Sequence, residues 1–118
     1  MSKKITVYEK PTCTKCRQTN KILNESGSEY EKVNYFETPF TAKKLTELVK
    51  KLGMPASELL RKSEKVYREL GLSKAELTDK EVISLMVKHP DLIQRPIVEK
   101  GSKAVLGRPP ENVNELID

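Results

Sequence analysis

The chain has 118 residues, of which 36% are hydrophobic and 33% are charged, and its formal net charge is +5. This length favours one domain of ordinary size, and scattered lysines with acids among them favour a solvated surface over a nucleic-acid-binding face. No apolar run approaches the roughly 20 residues that span a bilayer. The basic start MSKKITVYE is not followed by an apolar segment, so we expect no signal peptide, no membrane association and a cytoplasmic location.

The N-terminal part predicts a β–loop–α–β unit. ITVYE (5–9) is β-branched and aromatic, which is typical of a strand, and Pro11 ends it. A helical pattern runs from about Thr14 to Ser26, with Gly27 where a helix should stop. YEKVNYF (30–36) alternates and predicts a second strand, parallel to the first through a right-handed crossover.

The middle of the chain, about residues 41–90, predicts three amphipathic helices. The first follows an N-cap at Thr41 and stops at Gly53. The second is PASELLRKSEKVYRELG (55–71), with Ser57 as its cap. The third is TDKEVISLMVKHP (78–90), which is ended by Pro90.

The C-terminal part predicts a hairpin and a helix. PIVEKGSKAVLG (96–107) reads as two short strands around a turn at Gly101, and PPENVNELID as a final helix. The order β-α-β, helices, then β-β-α predicts an α/β fold with a thioredoxin-like mixed sheet. We expect a single domain, 1–118, with an all-helical insertion at about 41–90.

Cys13 and Cys16 are the only cysteines, and their C-x-x-C spacing fits half a metal site, a dithiol couple, or one working thiol with a helper. A helix N-terminus stabilises a thiolate through unpaired N–H groups and the helix dipole. Cys13 lies where that geometry would occur, and Lys15 and Arg17 add positive charge. This favours a nucleophilic Cys13, with Cys16 one turn further on as a resolving partner.

The sequence also allows a zinc site, a general base at His89 and a purely structural role for the two cysteines. A zinc site needs about four ligands, and the chain adds only His89, far away in sequence, so we expect no metal. His89 could be a general base, but its place at a helix C-terminus favours a capping or cationic role. The cysteines could also be two inert small residues at a strand–helix corner, although a Pro-x-Cys-x-x-Cys turn after a strand is specific.

Five blocks in order resemble the glutaredoxin-dependent arsenate reductases and their thioredoxin-fold relatives, which include the Spx-type regulators. The blocks are ITVYEKPTCTKCR, YFETPFT, ELLRKSEKVYRELGL, HPDLIQRPIV and LGRPPE, and they cover nearly the whole chain. The resemblance implies an oxidoreductase of arsenic resistance that reduces arsenate to arsenite. It implies no bound cofactor, with glutathione as co-substrate and glutaredoxin as a protein partner.

The resemblance also implies roles for individual residues. Cys13 matches the nucleophile that forms a covalent thiol–arsenate, and Pro96 matches the family's cis-proline. The arginines that match the family's oxyanion and loop positions are Arg61, Arg95, Arg108 and Arg17. Arginine's planar fork suits a tetrahedral oxyanion, and the same cations would lower the pKa of Cys13.

Two positions depart from the reductase pattern. Glu9 occupies the place of a histidine, and its carboxylate would raise the pKa of the cysteine or point to solvent. Cys16 stands where these reductases have serine, whereas a C-x-x-C pair is a feature of Spx-type proteins. A Cys13–Cys16 disulfide could therefore replace the glutathione step, with thioredoxin or glutaredoxin as reductant.

The alternative function is a redox-sensing transcriptional regulator of the Spx type, which binds RNA polymerase and uses the C-x-x-C as a switch. The arginine set favours the enzyme, because an anion-reducing site needs such a clamp and a polymerase-binding protein does not. A third interpretation keeps the fold but acts on another substrate, such as a glutathione conjugate.

Overall fold

The computed structural model describes residues 4–10, 14–27, 29–62, 64–72, 76–108 and 110–117. Cys13, on which the catalytic prediction depends, lies outside these residues. The chain divides into two compact units, which we call the sheet unit (Met1–Thr38 and Arg95–Asp118) and the helical unit (Pro39–Gln94). The predicted single domain stays a prediction. Within the described residues, no helix combines the length and the apolar character that a membrane span requires.

The sheet unit contains a four-stranded sheet in the order β2-β1-β3-β4. Its strands are β1 (Ile5–Glu9), β2 (Tyr30–Asn34), β3 (Ile97–Lys100) and β4 (Lys103–Leu106). β1 pairs parallel with β2 and antiparallel with β3, and β3 pairs antiparallel with β4. The predicted mixed sheet and α/β class are therefore confirmed, including both strands of the hairpin.

One face of this sheet carries a hydrophobic core. The unit also contains α1 (Thr14–Glu25) and a 3₁₀ helix (Pro110–Leu116). The core residues are Ile5, Val7, Leu23, Val98, Val113 and Leu116. Because side chains alternate along a strand, Glu9 shares the face of Ile5 and Val7. The predicted final helix is present, but it has the tighter 3₁₀ form.

β2 is shorter than the sequence predicts, since it ends at Asn34 and not at Phe36. The backbone N–H of Phe36 donates to Oδ1 of Asn34 over 3.0 Å. The N–H groups of Glu37 and Thr38 both donate to the carbonyl of Asn34. These local hydrogen bonds form an Asx-type turn that takes the chain out of the sheet.

The helical unit has helices α2 (Ala42–Leu52), α3 (Lys65–Glu69) and α4 (Asp79–Lys88), and 3₁₀ helices at Ala56–Leu59 and Pro90–Leu92. α2 begins after Thr41, whose Oγ1 accepts from the N–H of Lys44 over 3.1 Å, and Gly53 ends it with φ 68°. Thr78 and Glu81 form a capping box before α4. These boundaries match the predicted first and third helices, because cap residues signal them locally.

The predicted single helix over 55–71 is wrong. Its first half is the 3₁₀ helix, in which Ser57 is an internal residue and caps nothing, and Leu60 then pairs with Ile93 in an antiparallel bridge. The N–H of Arg61 donates to the carbonyl of Leu92 over 2.7 Å. This pairing joins residues distant in sequence, so it overrides the local helical pattern. Among the described residues the insertion still has only helices as regular elements, and the Leu60–Ile93 pairing is an isolated bridge.

Candidate active site

The strand–helix corner of the sheet unit positions the residues around the predicted nucleophile. β1 ends at Glu9 and α1 begins at Thr14; Cys13 falls between them in the sequence and lies outside the described residues. Cys16 is in the first turn of α1 and is 0% exposed. Arg17, the next residue, is exposed. The roles predicted for all three side chains stay predictions.

Glu9 is buried at this corner. It is 5% exposed, and Nδ2 of Asn20 donates to its Oε1 over 3.0 Å. A buried carboxylate is strongly disfavoured without a hydrogen-bond donor, so Asn20 stabilises it in place. Of the two alternatives that the sequence left open for Glu9, the one in which it points to solvent is therefore wrong. Sequence reasoning missed this, although strand alternation places Glu9 on the buried face.

Arg95 and Arg108 come together in the sheet unit. Arg95 is 6% exposed, and its Nη1 lies 3.5 Å from the hydroxyl of Tyr35, which accepts a long hydrogen bond. Nη1 of Arg108 donates to the backbone carbonyl of Arg95 over 3.5 Å. Two of the predicted oxyanion-binding arginines are thus neighbours, and one of them is almost completely buried.

The Arg95–Pro96 peptide bond is cis, which is the geometry the resemblance implies for Pro96. The N–H of Gly107 donates to the carbonyl of Pro96 over 2.9 Å. A Cβ atom at Gly107 would lie 2.7 Å from both Pro96 Cγ and Thr19 Oγ1. Glycine is therefore needed here for space, and it lets the loop before Arg108 pack closely against Pro96 and α1.

An aromatic pair follows β2 and was not assigned a role from the sequence. Tyr35 is 0% exposed, and its ring stacks on Phe36 with centroids 4.9 Å apart. The Nζ of Lys10 lies 4.9 Å from the Phe36 centroid, which is a cation–π contact. The stacked pair therefore lies between two cations: Lys10 contacts Phe36, and Arg95 contacts Tyr35. The block YFETPFT contained this signal, since a buried tyrosine hydroxyl usually has a polar partner.

Arg61 lies in the helical unit. Its Nε is 3.1 Å from Oε1 of Glu64, an ion pair that does not have the geometry of a hydrogen bond. The part of Arg61 in an oxyanion clamp stays a prediction.

His89 occupies the C-cap of α4, where its N–H donates to the carbonyl of Leu85 over 2.8 Å. The predicted position of His89 at a helix C-terminus is therefore confirmed.

Among the residues that the structure describes, no three His, Cys, Asp or Glu side chains gather into a group that could hold a metal ion. Neither zinc nor any other ion is therefore assigned to a site in this part of the chain. The strand–helix corner contains the buried thiol of Cys16 and the buried carboxyl group of Glu9. Elsewhere in the same unit, Arg95 and Arg108 are in contact.

Comparison with known proteins identifies the family. The family model described as "ArsC family" matches residues 8–116. "Uncharacterized protein YfgD" of Escherichia coli is 45% identical over 118 residues, with 99% of each chain covered. "Arsenate reductase" of the same species is 40% identical over 113 residues, which cover 96% of this chain and 80% of the relative.

The solved structure of "Arsenate reductase from Vibrio cholerae" has a TM-score of 0.92 and 34% identity, and the match covers 98% of this chain and 99% of that one. This likeness confirms the predicted thioredoxin-like fold class. A family match over most of the chain and close relatives at this identity lead to one conclusion. The chain belongs to the ArsC family.

Proposed function

We propose that this protein is a thiol-dependent oxidoreductase that reduces arsenate to arsenite through Cys13. The relatives named arsenate reductase support the reaction class. The observation that carries the proposal is the buried Arg95 with Arg108 beside it, next to Pro96. Nη1 of Arg108 contacts the backbone carbonyl of Arg95, and guanidinium groups suit an oxyanion with several acceptor oxygens.

Burial strengthens this interaction. Arg95 is nearly inaccessible to solvent, and the attraction between opposite charges grows as the local dielectric falls. Its guanidinium is held by Tyr35, whose hydroxyl lies 3.5 Å away, so little reorganisation is needed on binding. Pre-organised cations of this kind stabilise the negative charge that develops in the transition state. The family resemblance assigns Arg61 and Arg17 to the same task.

The proposed reaction has two halves. The thiolate of Cys13 attacks arsenic and displaces one oxygen as water, which forms the thiol–arsenate adduct. A second thiol then attacks the sulfur of Cys13, and the sulfur–arsenic bond breaks with its electron pair on arsenic. Arsenic passes from As(V) to As(III), and two thiols are oxidised to one disulfide.

The second thiol distinguishes two routes. In one, glutathione attacks and glutaredoxin removes it afterwards. In the other, Cys16 attacks, and a thioredoxin-type dithiol reduces the Cys13–Cys16 disulfide. We favour Cys16, because its C-x-x-C spacing from Cys13 places it one helical turn further on, in reach of a disulfide. The cytoplasmic location expected from the sequence agrees with either donor.

The experiment is an arsenite-formation assay of the wild type and of Cys16→Ser, with glutathione plus glutaredoxin and with thioredoxin plus its reductase. We expect turnover of the wild type with thioredoxin and a loss of at least about 10-fold in Cys16→Ser. Equal thioredoxin-coupled rates would assign Cys16 to packing. If the wild type turns over with neither donor, the arsenate proposal fails, and capture of RNA polymerase then tests the regulator.

A further inference from the structure

Two buried titratable groups lie at the strand–helix corner. Glu9 is 5% exposed and Cys16 is 0% exposed. The proposed second half-reaction needs Cys16 as a thiolate, and a thiol removed from solvent loses its proton with difficulty. Some group at the corner must therefore accept that proton.

Asn20 connects the two groups. Its Nδ2 donates to Oε1 of Glu9 over 3.0 Å. Asn20 is also four residues after Cys16 in α1, so the two side chains lie on one helix face, with Cβ atoms about 6 Å apart. The carboxylate of Glu9 is consequently held on the helix face that carries the buried thiol.

The same helix face has buried acceptors in need of a donor. Oδ1 of Asn20 and Oγ1 of Thr19 are buried, and neither has a hydrogen-bond partner among the described residues. A buried polar atom without a partner destabilises a protein by about 1–3 kcal/mol. The Asn20 amide therefore keeps an unsatisfied acceptor beside its hydrogen bond to Glu9.

Other charged groups lie elsewhere. On the same sheet face, Lys32 pairs in register with Val7, one same-face position from Glu9, and is exposed. Lys100 pairs with Ile5 at the other end of β1. The Nζ of Lys100 donates to the carbonyl of Leu116 over 2.8 Å. The charged side chains of α1 and of the 3₁₀ helix packed beside it are Lys15, Arg17, Lys21, Glu25, Glu111 and Glu115. Lys15 is half-buried, and the other five are exposed.

We propose that Glu9 is the general base that takes the proton of Cys16, an inference that rests on the proposed arsenate reduction through an internal disulfide. The Glu9 carboxylate accepts the Sγ proton, and the Cys16 thiolate forms a bond to Sγ of Cys13. The sulfur–arsenic bond breaks, arsenic keeps the electron pair and becomes As(III), and arsenite leaves with a proton regained from Glu9. Asn20 is a positioning residue that orients the carboxylate.

The first test does not require arsenate. In Cys13→Ser, Cys16 is the only cysteine left, so the ultraviolet absorbance of the thiolate reports its ionisation alone. Removing the neighbouring negative charge with Glu9→Gln should lower the pH midpoint by about one unit, because a carboxylate disfavours a second anion beside it. An unchanged midpoint overturns the proposal.

Glu99→Gln in the same background is the matched control. Glu99 is a buried glutamate of the same unit, 9% exposed, and accepts a hydrogen bond from the hydroxyl of Tyr8 over 3.0 Å. We expect it to leave the Cys16 midpoint unchanged. A shift equal to that of Glu9→Gln would show a general effect of net charge and would also overturn the proposal.

The second test uses turnover. Glu9→Gln should lower thioredoxin-coupled kcat by about 100-fold and change its pH profile. In Cys16→Ser supplied with glutathione and glutaredoxin, the same substitution should change the rate less than about 2-fold, since Glu9 acts through Cys16. A full loss in that background contradicts this role. If the wild type reduces no arsenate, the proposed function fails, and the titration still decides the inference.

Discussion

The two compact units differ in what they bury. The described polar or charged residues that are buried are Glu9, Thr19, Arg95 and Glu99, and each belongs to the sheet unit. The described buried residues of the helical unit are all apolar, among them Leu48 and Met86. Burying charge destabilises a fold unless it is compensated. The difference therefore suggests that the sheet unit carries the chemistry, whereas the core of the helical unit serves packing.

Substitutions that separate activity from stability test this difference between the two units. Changes at Arg95 and Glu9, the buried polar residues of the candidate site, should alter catalysis more than the free energy of unfolding. Changes in the helical core should do the reverse.

Arg95→Gln should lower kcat/KM for arsenate by about 100-fold to 1,000-fold, because a pre-organised charge at the oxyanion is lost. Steady-state kinetics with increasing arsenate measure the loss. Arg68→Gln is the matched control, since Arg68 is exposed on α3 and should retain wild-type kinetics. A loss below about 5-fold in Arg95→Gln would place the oxyanion elsewhere.

Leu48→Ala should lower the free energy of unfolding by about 2–5 kcal/mol, because it opens a cavity in a fully buried site. Leu48 is 0% exposed on α2. Urea denaturation measures the change, and kcat per folded molecule should remain at the wild-type value. Leu70→Ala, at a leucine 44% exposed, should cost less than about 1 kcal/mol. A kcat that falls with Leu48→Ala would contradict the division between the units.

Tyr8→Phe should lower the free energy of unfolding by about 1–3 kcal/mol, since Glu99 then loses a buried hydrogen bond. The hydroxyl of Tyr8 donates to Oε1 of Glu99 over 3.0 Å. Tyr30→Phe removes an exposed bond of equal length to Asn24 and a longer contact of 3.5 Å with the carbonyl of Asn20. It should cost under about 1 kcal/mol. Equal losses in denaturation would show that burial does not set the value of these bonds.

Glu64→Gln should lower KM for arsenate by about 2-fold, as expected for one competing ion pair near the surface. Oε1 of Glu64 lies 3.1 Å from Nε of Arg61, so it would compete with an oxyanion if Arg61 binds one as the family pattern implies. Glu69→Gln, which breaks the exposed pair with Lys65, is the control and should leave KM unchanged. A raised KM would mean that Glu64 orients Arg61 for binding.

Local signals made much of the fold predictable. The N-cap at Thr41 and the left-handed Gly53 mark α2, and the capping box of Thr78 marks α4. The segment 55–71 was not predictable in this way, because the bridge of Leu60 to Ile93 depends on residues more than thirty positions away. Its local pattern is helical, and tertiary pairing overrides it.

The candidate site was predictable in part. The positions of Arg95 and Arg108 followed from the family pattern, and the structure brings them together. The burial of Glu9 was missed, although the alternation of Ile5, Val7 and Glu9 indicated it. The contact of Asn20 with Glu9 was not predictable, because it depends on how α1 packs on the sheet.

The most direct test of the central claim compares arsenite formation by the wild type and by Cys13→Ser, with a saturating electron donor. Cys13 as the nucleophile predicts turnover of the wild type and none in Cys13→Ser. When arsenate is added without donor, it also predicts a mass increase in Cys16→Ser, which lacks the internal second thiol, and none in the Cys13→Ser/Cys16→Ser double variant. Arsenite formation by Cys13→Ser at the wild-type rate would contradict the proposed reaction.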